Sequence, residues 1–283
     1  MLSAKRCGST ALFRLFQRHP DVGVCHVDPT IPLWEPNFWN LAHDAIQGRP
    51  EAFVARFAES HPFLEMPARF DEAAVFGLWD RILEVQGPIV FDKSPQYLAS
   101  PGGLELLGRY RERGHDVRVF AFIRDPRDAI TSQYERWRRT VPDDSPERRE
   151  RRWLEAYANL ARFRERVEPL PLYRYEDFAA RPEVHAPALL AHCGLPDHPE
   201  AWAHVRPTSL GRYSASILPS IRRWRFTPEL RAHLREHGYP EPQLPPLARA
   251  RLLAGMLPSA LAREWRQARS LERRQARPRA AAD

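Results

Sequence analysis

Short apolar runs that end in turn residues recur along this chain, each followed by an amphipathic stretch. That alternation admits few folds other than helices laid on both faces of a mainly parallel sheet, an α/β architecture. Residues 117–123 form the clearest strand, Ile89-Val90-Phe91 a second buried one, 170–173 a last one, and 22–27 a short candidate. Apolar spacing predicts helices over 10–18, over 50–85 with breaks at Pro62 and Pro67, over 104–113, and from Pro126 to about residue 138. Residues 142–152 read as a charged loop or helix start, followed by helices over 153–167, 186–192 and 199–205. One domain is expected over 1–240, with 241–283 a proline-rich linker and a basic helical tail.

Two of the strand-to-helix junctions are suited to anions. Arg6-Cys7-Gly8-Ser9-Thr10 opens the first helix, and Arg124-Asp125-Pro126, with Ser132 and Tyr134 further on, opens the one after the clearest strand. At such junctions free backbone N–H groups and the positive end of the helix dipole attract negative charge. Gly8 lets the backbone approach a ligand, Ser9 and Thr10 offer hydroxyl donors, and Arg6 and Arg124 supply guanidinium forks that match phosphate. Asp125 is placed to cap the second helix, with Pro126 at its first position. Two such junctions suggest a ligand charged at both ends. The first lacks the Gly-Lys pair of a P-loop, which argues against an ordinary ATPase or a small-molecule kinase.

The formal charge of +7 favours anionic partners, but it is uneven: 263–283 holds seven arginines against Glu264, Glu272 and Asp283, which leaves +3 for the rest. A nucleic-acid-binding reading would rest on that tail and on 136–152. Both stretches interleave acidic residues and read as solvated faces without a stacking platform. Cys7, Cys25 and Cys193 form no C-x-x-C pair, and neither a membrane-length apolar run nor a signal-peptide core is present, so a reduced, cytoplasmic setting is expected.

The first junction resembles the 5′-phosphosulfate loop of sulfotransferases that use 3′-phosphoadenosine 5′-phosphosulfate (PAPS), and Arg124 with Ser132 resembles their 3′-phosphate site. Asp92-Lys93-Ser94-Pro95-Gln96-Tyr97 resembles the Glu/Asp-Lys-Ser/Thr-Pro-x-Tyr segment of the carbohydrate-modifying branch, typified by heparan sulfate sulfotransferases. Trp34-Glu35-Pro36-Asn37-Phe38-Trp39 resembles that branch's Glu-x-His-Phe-Phe, with Asn37 at the histidine. The resemblance implies Glu35 as base toward a hydroxyl or amine, with Arg6 and Lys93 stabilising the transferred group. It implies donor contacts from Arg6, Cys7, Gly8, Ser9, Thr10, Arg124, Ser132 and, from Ser209-Leu210-Gly211-Arg212-Tyr213, Arg212. Neighbouring aromatic rings are expected to desolvate Glu35. His26 and His43 are the rival bases. Arg174-Tyr175-Glu176-Asp177-Phe178 resembles a structural segment of the family. No metal is called for, and partners are the nucleotide donor and a carbohydrate or small-molecule acceptor.

One departure stands out. The family places a full hydrophobic strand before the phosphosulfate loop, whereas only Met1 and Leu2 precede Ser3-Ala4. Either a late start codon or a stub strand is expected. A stub would hold the loop less firmly, and a nucleotide-binding relative with impaired catalysis is the alternative it leaves open.

Overall fold

The computed structural model describes residues 1–24, 35–207 and 210–240. Cys25, His26, Trp34, Ser209 and the expected tail over 241–283 lie outside the described residues. In chain order the elements are β1 (Leu2–Ser3), α1 (Ser9–Arg18), β2 (Gly23–Val24), α2 (Phe38–Ile46), α3 (Glu51–Ser60), α4 (Glu72–Gln86), β3 (Val90–Phe91), α5 (Pro101–Glu112), β4 (Ala121–Ile123), α6 (Pro126–Trp137), α7 (Pro146–Arg164), β5 (Leu172–Arg174), α8 (Tyr175–Ala180), α9 (Pro182–His192), α10 (Pro199–Trp202), α11 (Arg212–Ala215), α12 (Pro219–Arg223) and α13 (Pro228–Glu236).

Helix starts follow local chemistry. Asp71 accepts a hydrogen bond from the Ala74 N–H to open α4, Ser100 does the same for Gly103 and α5, and Asp125 for Arg127 and α6. Ser145 caps α7 with Pro146 at its first position, so the charged stretch before Trp153 is the first half of that helix.

The strands pair in parallel. β1, β4 and β5 form one ladder in that order, with Leu2 opposite Ala121 and Ala121 opposite Leu172, and β2 pairs with β3. Met1 joins the two ladders: its nitrogen donates to the Asp92 carbonyl at 2.9 Å, while the Leu2 N–H donates to Phe120 O at 2.9 Å. β1 therefore runs between β3 and β4. Side chains along 120–123 alternate between two cores, as the pleat requires. Ala121 and Ile123 enter the core under α2 to α7, and Phe120 and Phe122 enter the one under α1, α8 and α9. The larger core centres on Phe38, whose ring lies 4.6–5.3 Å from those of Trp39, Phe53, Phe57 and Trp79. Each such ring contributes about 1.5–3 kcal/mol on burial.

The strand predicted over 117–123 is a ladder only from Ala121 to Ile123. A strand extends only as far as a neighbour pairs with it, and β1 supplies two residues. Past Met1, between 88–92 and 115–120, lies a cavity of ≈390 Å³ whose walls include Phe16, Trp79, Tyr110 and Val119. β1 pairs with β4 over Leu2–Ser3. Among the described residues no helix is long and apolar enough to cross a membrane.

Candidate active site

The loop between β1 and α1 is shaped by two left-handed residues. Gly8 has φ 83°, and a Cβ there would lie 2.1 Å from the Tyr175 ring, so both backbone and space demand glycine. Arg6 has φ 71°, a strained value that costs a non-glycine residue roughly 1–2 kcal/mol. No side chain caps the start of α1 and its first turn carries no acid, which leaves that end open to an anion. Cys7 turns inward: its thiol is buried 3.6 Å from the Tyr157 hydroxyl, and burial pushes its pKa up to about 12. Only its backbone can serve a ligand.

Arg124 leaves β4 buried, donating from Nη1 to the Arg6 carbonyl at 3.0 Å and from Nη2 to Asp128 Oδ2 at 3.3 Å, with its guanidinium 5.5 Å from the Tyr175 ring. The Asp128 carboxylate also accepts from the N–H groups of Gly211 and Tyr213, at 2.6 and 2.8 Å, and so ties the 211–213 turn to α6. Arg6 donates from Nε to Ser132 Oγ at 3.0 Å. Its guanidinium is less basic than usual because of burial, and next because Arg136, Arg212 and Arg124 stand near it. Arg212 itself pairs with Glu135 at 3.4 Å and does not line the cleft.

Two further sequence segments meet. Lys93, almost fully buried, donates from Nζ to Glu35 Oε1 at 2.9 Å. Around them the Asn37 N–H donates to Ser94 Oγ and the Phe38 N–H to the Tyr97 hydroxyl, which in turn donates to Asp92. The expected desolvation of Glu35 by Phe38 and Trp39 is corrected here: both rings turn into the core, and the carboxylate faces the cleft on Lys93. His43 packs against α5 at Gly102, away from the cleft.

Gly8, Ser9, Thr10, Arg6, Arg124 and Glu35 line one cleft of ≈480 Å³. It also takes in Lys5, Arg14, His204 and Arg206, to which the sequence reading gave no role, and Arg136 and Trp137, which it had read as part of a solvated face. A helical signal was available for two of them: Arg14 follows Thr10 and Arg136 follows Ser132 by four residues, which puts each pair on one face. Trp137 supplies an aromatic face that the reading of 136–152 had denied. The Tyr175 segment packs between loop and core, and Tyr175 also borders the cleft. Tyr175 packs on the loop, Phe178 is buried, and Glu176 accepts from the Asp125 N–H at 2.8 Å and from the Tyr239 hydroxyl at 3.1 Å. Among the described residues one metal-type cluster forms, His233, Glu236 and His237 at the end of α13, and it does not line this cleft.

Residues 1–200 match a family model described as the sulfotransferase family. No curated protein matches the chain. Among solved structures it is similar to the sulfotransferase domain from the curacin biosynthetic pathway, at 17% identity and a TM-score of 0.58 over 85% of this chain and 97% of that one, a likeness of fold. It also matches a sulfotransferase from Alicyclobacillus acidocaldarius and the sulfotransferase domain of the Synechococcus PCC 7002 olefin synthase. Both are 18% identical with TM-scores of 0.47, over 90% of this chain and 93% and 92% of theirs.

Proposed function

The chain belongs to the sulfotransferase family, and from that premise we propose that it moves a sulfuryl group from PAPS to a hydroxyl or amine of a carbohydrate or small-molecule acceptor. The observation that carries this reading is the convergence of Arg6 and Arg124 with the open start of α1 on one cleft, with Ser132 buried behind Arg6 and accepting its Nε hydrogen bond. Such a set suits a ligand with an anion at each end. The start of α1, with Ser9 and Thr10, takes the phosphosulfate, and Arg124 with Ser132 takes the 3′-phosphate. Gly8 fits the same ligand, since a side chain there would close the cradle against Tyr175.

Arg6 donates from Nε to the Ser132 hydroxyl. In the proposed complex the 3′-phosphate takes over that hydroxyl and Arg6 turns to the oxygen that leaves sulfur. The acceptor oxygen or nitrogen attacks sulfur in line while the bond from sulfur to the 5′-phosphate oxygen breaks, and that oxygen keeps the electron pair as adenosine 3′,5′-bisphosphate forms. Glu35 receives the acceptor's proton on Oε2, because Lys93 engages Oε1 and holds the carboxylate in place. The pairing of Glu35 with Lys93 supports the carbohydrate-modifying branch, and the free thiols of Cys7 and Cys193 suit the cytoplasmic setting assigned to it.

Calorimetry with adenosine 3′,5′-bisphosphate, with and without Mg²⁺, tests the reading. Binding is expected to be independent of metal and at least about a hundredfold weaker in Arg124→Ala, as for removal of a buried charged contact. A wild-type protein that does not bind the bisphosphate rejects it.

A further inference from the structure

The last helix among the described residues, α13, runs out in His233-Leu234-Arg235-Glu236-His237. An α-helix turns about 100° per residue, so positions 233, 236 and 237 share one face within an arc of about 100°. One ligand atom from each of His233, Glu236 and His237 lies within 4.8 Å of the other two. The two imidazole centroids are 4.4 Å apart, and His237 Nε2 stands 4.0 Å from Glu236 Oε1. None of the three lines the cleft, and none has a part in the chemistry proposed for it.

Their surroundings suit a cation bound by nitrogen. Burial lowers the pKa of His233 to about 4 and lowers that of His237 as well, so at neutral pH each ring has a lone pair to give without first losing a proton. Glu236 is exposed and supplies negative charge. The cluster also sits at the C-terminal end of α13, where the last carbonyls and the helix dipole favour positive charge. Two features oppose an ion. Arg164 and Arg174 stand near His237 and repel it. The Trp153 indole N–H donates to His233 Nε2 at 3.4 Å, and an ion on this ring displaces that bond, because a neutral imidazole has a single lone pair. The bond is long, so little is lost with it. The balance sets the expected affinity in the micromolar range, short of that of a closed four-ligand site.

The geometry points to a new metal site: we infer that His233, Glu236 and His237 bind a divalent cation of the zinc class through two imidazole nitrogens and one carboxylate oxygen, with water completing the shell. Imidazole ligands select zinc, cobalt or nickel over magnesium and calcium, which prefer oxygen throughout. All three ligands come from one helical turn, so the ion clamps the end of α13 and takes no part in sulfuryl transfer. The site is independent of the function proposed above.

The test titrates the untagged full-length protein, stripped with EDTA and desalted, with ZnCl₂ by calorimetry. One ion per chain is expected at micromolar affinity, CoCl₂ is expected to give the visible absorption of a nitrogen-ligated ion, and excess MgCl₂ is expected not to compete. His233→Asn and His237→Asn are each expected to weaken zinc at least about tenfold, and Glu236→Gln about threefold or more. Because His233 is buried, the His237 and Glu236 variants decide the matter should His233→Asn fail to fold. Affinity for adenosine 3′,5′-bisphosphate is expected to stay within about twofold in every folded variant, since the site stands apart from the cleft. A wild-type protein that takes up no zinc, zinc binding that is unchanged in His237→Asn, or equal competition by magnesium overturns the inference. Wild-type affinity in Glu236→Gln removes the carboxylate from the ligand set and overturns the site as stated.

Discussion

The Lys93 ammonium meets the Glu35 carboxylate at 2.9 Å across 58 residues of sequence, the lysine buried and the glutamate at the cleft. A lysine so placed is anchored by its stem in the protein and presents its charge at one point, so the pair fixes the Glu35 carboxylate at the cleft.

Replacing the base without its bulk separates binding from chemistry. Glu35→Gln is expected to bind adenosine 3′,5′-bisphosphate as the wild type does and to turn over about 10²-fold or more slowly, the loss typical of a removed general base. The measurement is single-turnover sulfuryl transfer beside a bisphosphate titration. A turnover within threefold of wild type moves the base to another residue.

Gly8→Ala combines a left-handed backbone with a clash into the Tyr175 ring, which itself stacks near Arg124. Thermal unfolding is expected several degrees lower, from a cost of about 1–3 kcal/mol, together with weaker bisphosphate binding. An unchanged melting temperature would contradict the close packing of loop and ring.

Acid sensitivity follows from two buried histidines. Burial holds His61 at about 4; burial, then neighbouring His237, holds His233 at about 4, against an ordinary 6.5. As pH falls from 6.5 toward 4 the unfolded chain takes up these protons first, so stability contributed by the neutral rings is lost over that window. The raised carboxyls of Asp92 and Glu176, both shifted by burial, act with the opposite sign. The readout is therefore a difference: the drop in melting temperature between pH 7 and 5 is expected to be smaller in His61→Phe, which deletes an imidazole whose Nε2 is buried without a partner. An equal drop in both proteins removes His61 from the account.

The cavity beside Met1 provides a stability test of the sheet. Joining four apolar, β-branched residues ahead of Met1 is expected to extend the ladder between 88–92 and 115–120 and fill apolar space. A rise in melting temperature of at least about 4 °C is expected, measured against an extension of four Gly or Ser residues. Equal melting temperatures for the two extensions would show that the slot takes no strand.

Residues close in sequence made much of this protein legible. The glycine of the loop between β1 and α1, the Asp125-Pro126 start of α6 and the α/β alternation rest on turn, cap and period rules that act within a few positions, and each appears where those rules place it. Strand lengths were not legible in the same way. Residues 117–120 have the composition of a strand, yet whether they form a ladder depends on what stands beside them, and β1 pairs with residues 121 and 122.

The sequence by itself determined which segments bear the arginines, the hydroxyls and the carboxylate of the cleft and the glycine turn between them, because those features belong to side chains and local backbone. Only the tertiary structure decided that Arg6 would rest on Ser132, 126 residues away, that Cys7 would face the core, and that Lys5, Arg136 and Trp137 would share a wall of the same cleft. Contacts of that range arise when the sheet stacks its strands and buries both apolar faces, and the hydrophobic drive behind that packing selects neighbours by shape and area, without regard to their distance along the chain.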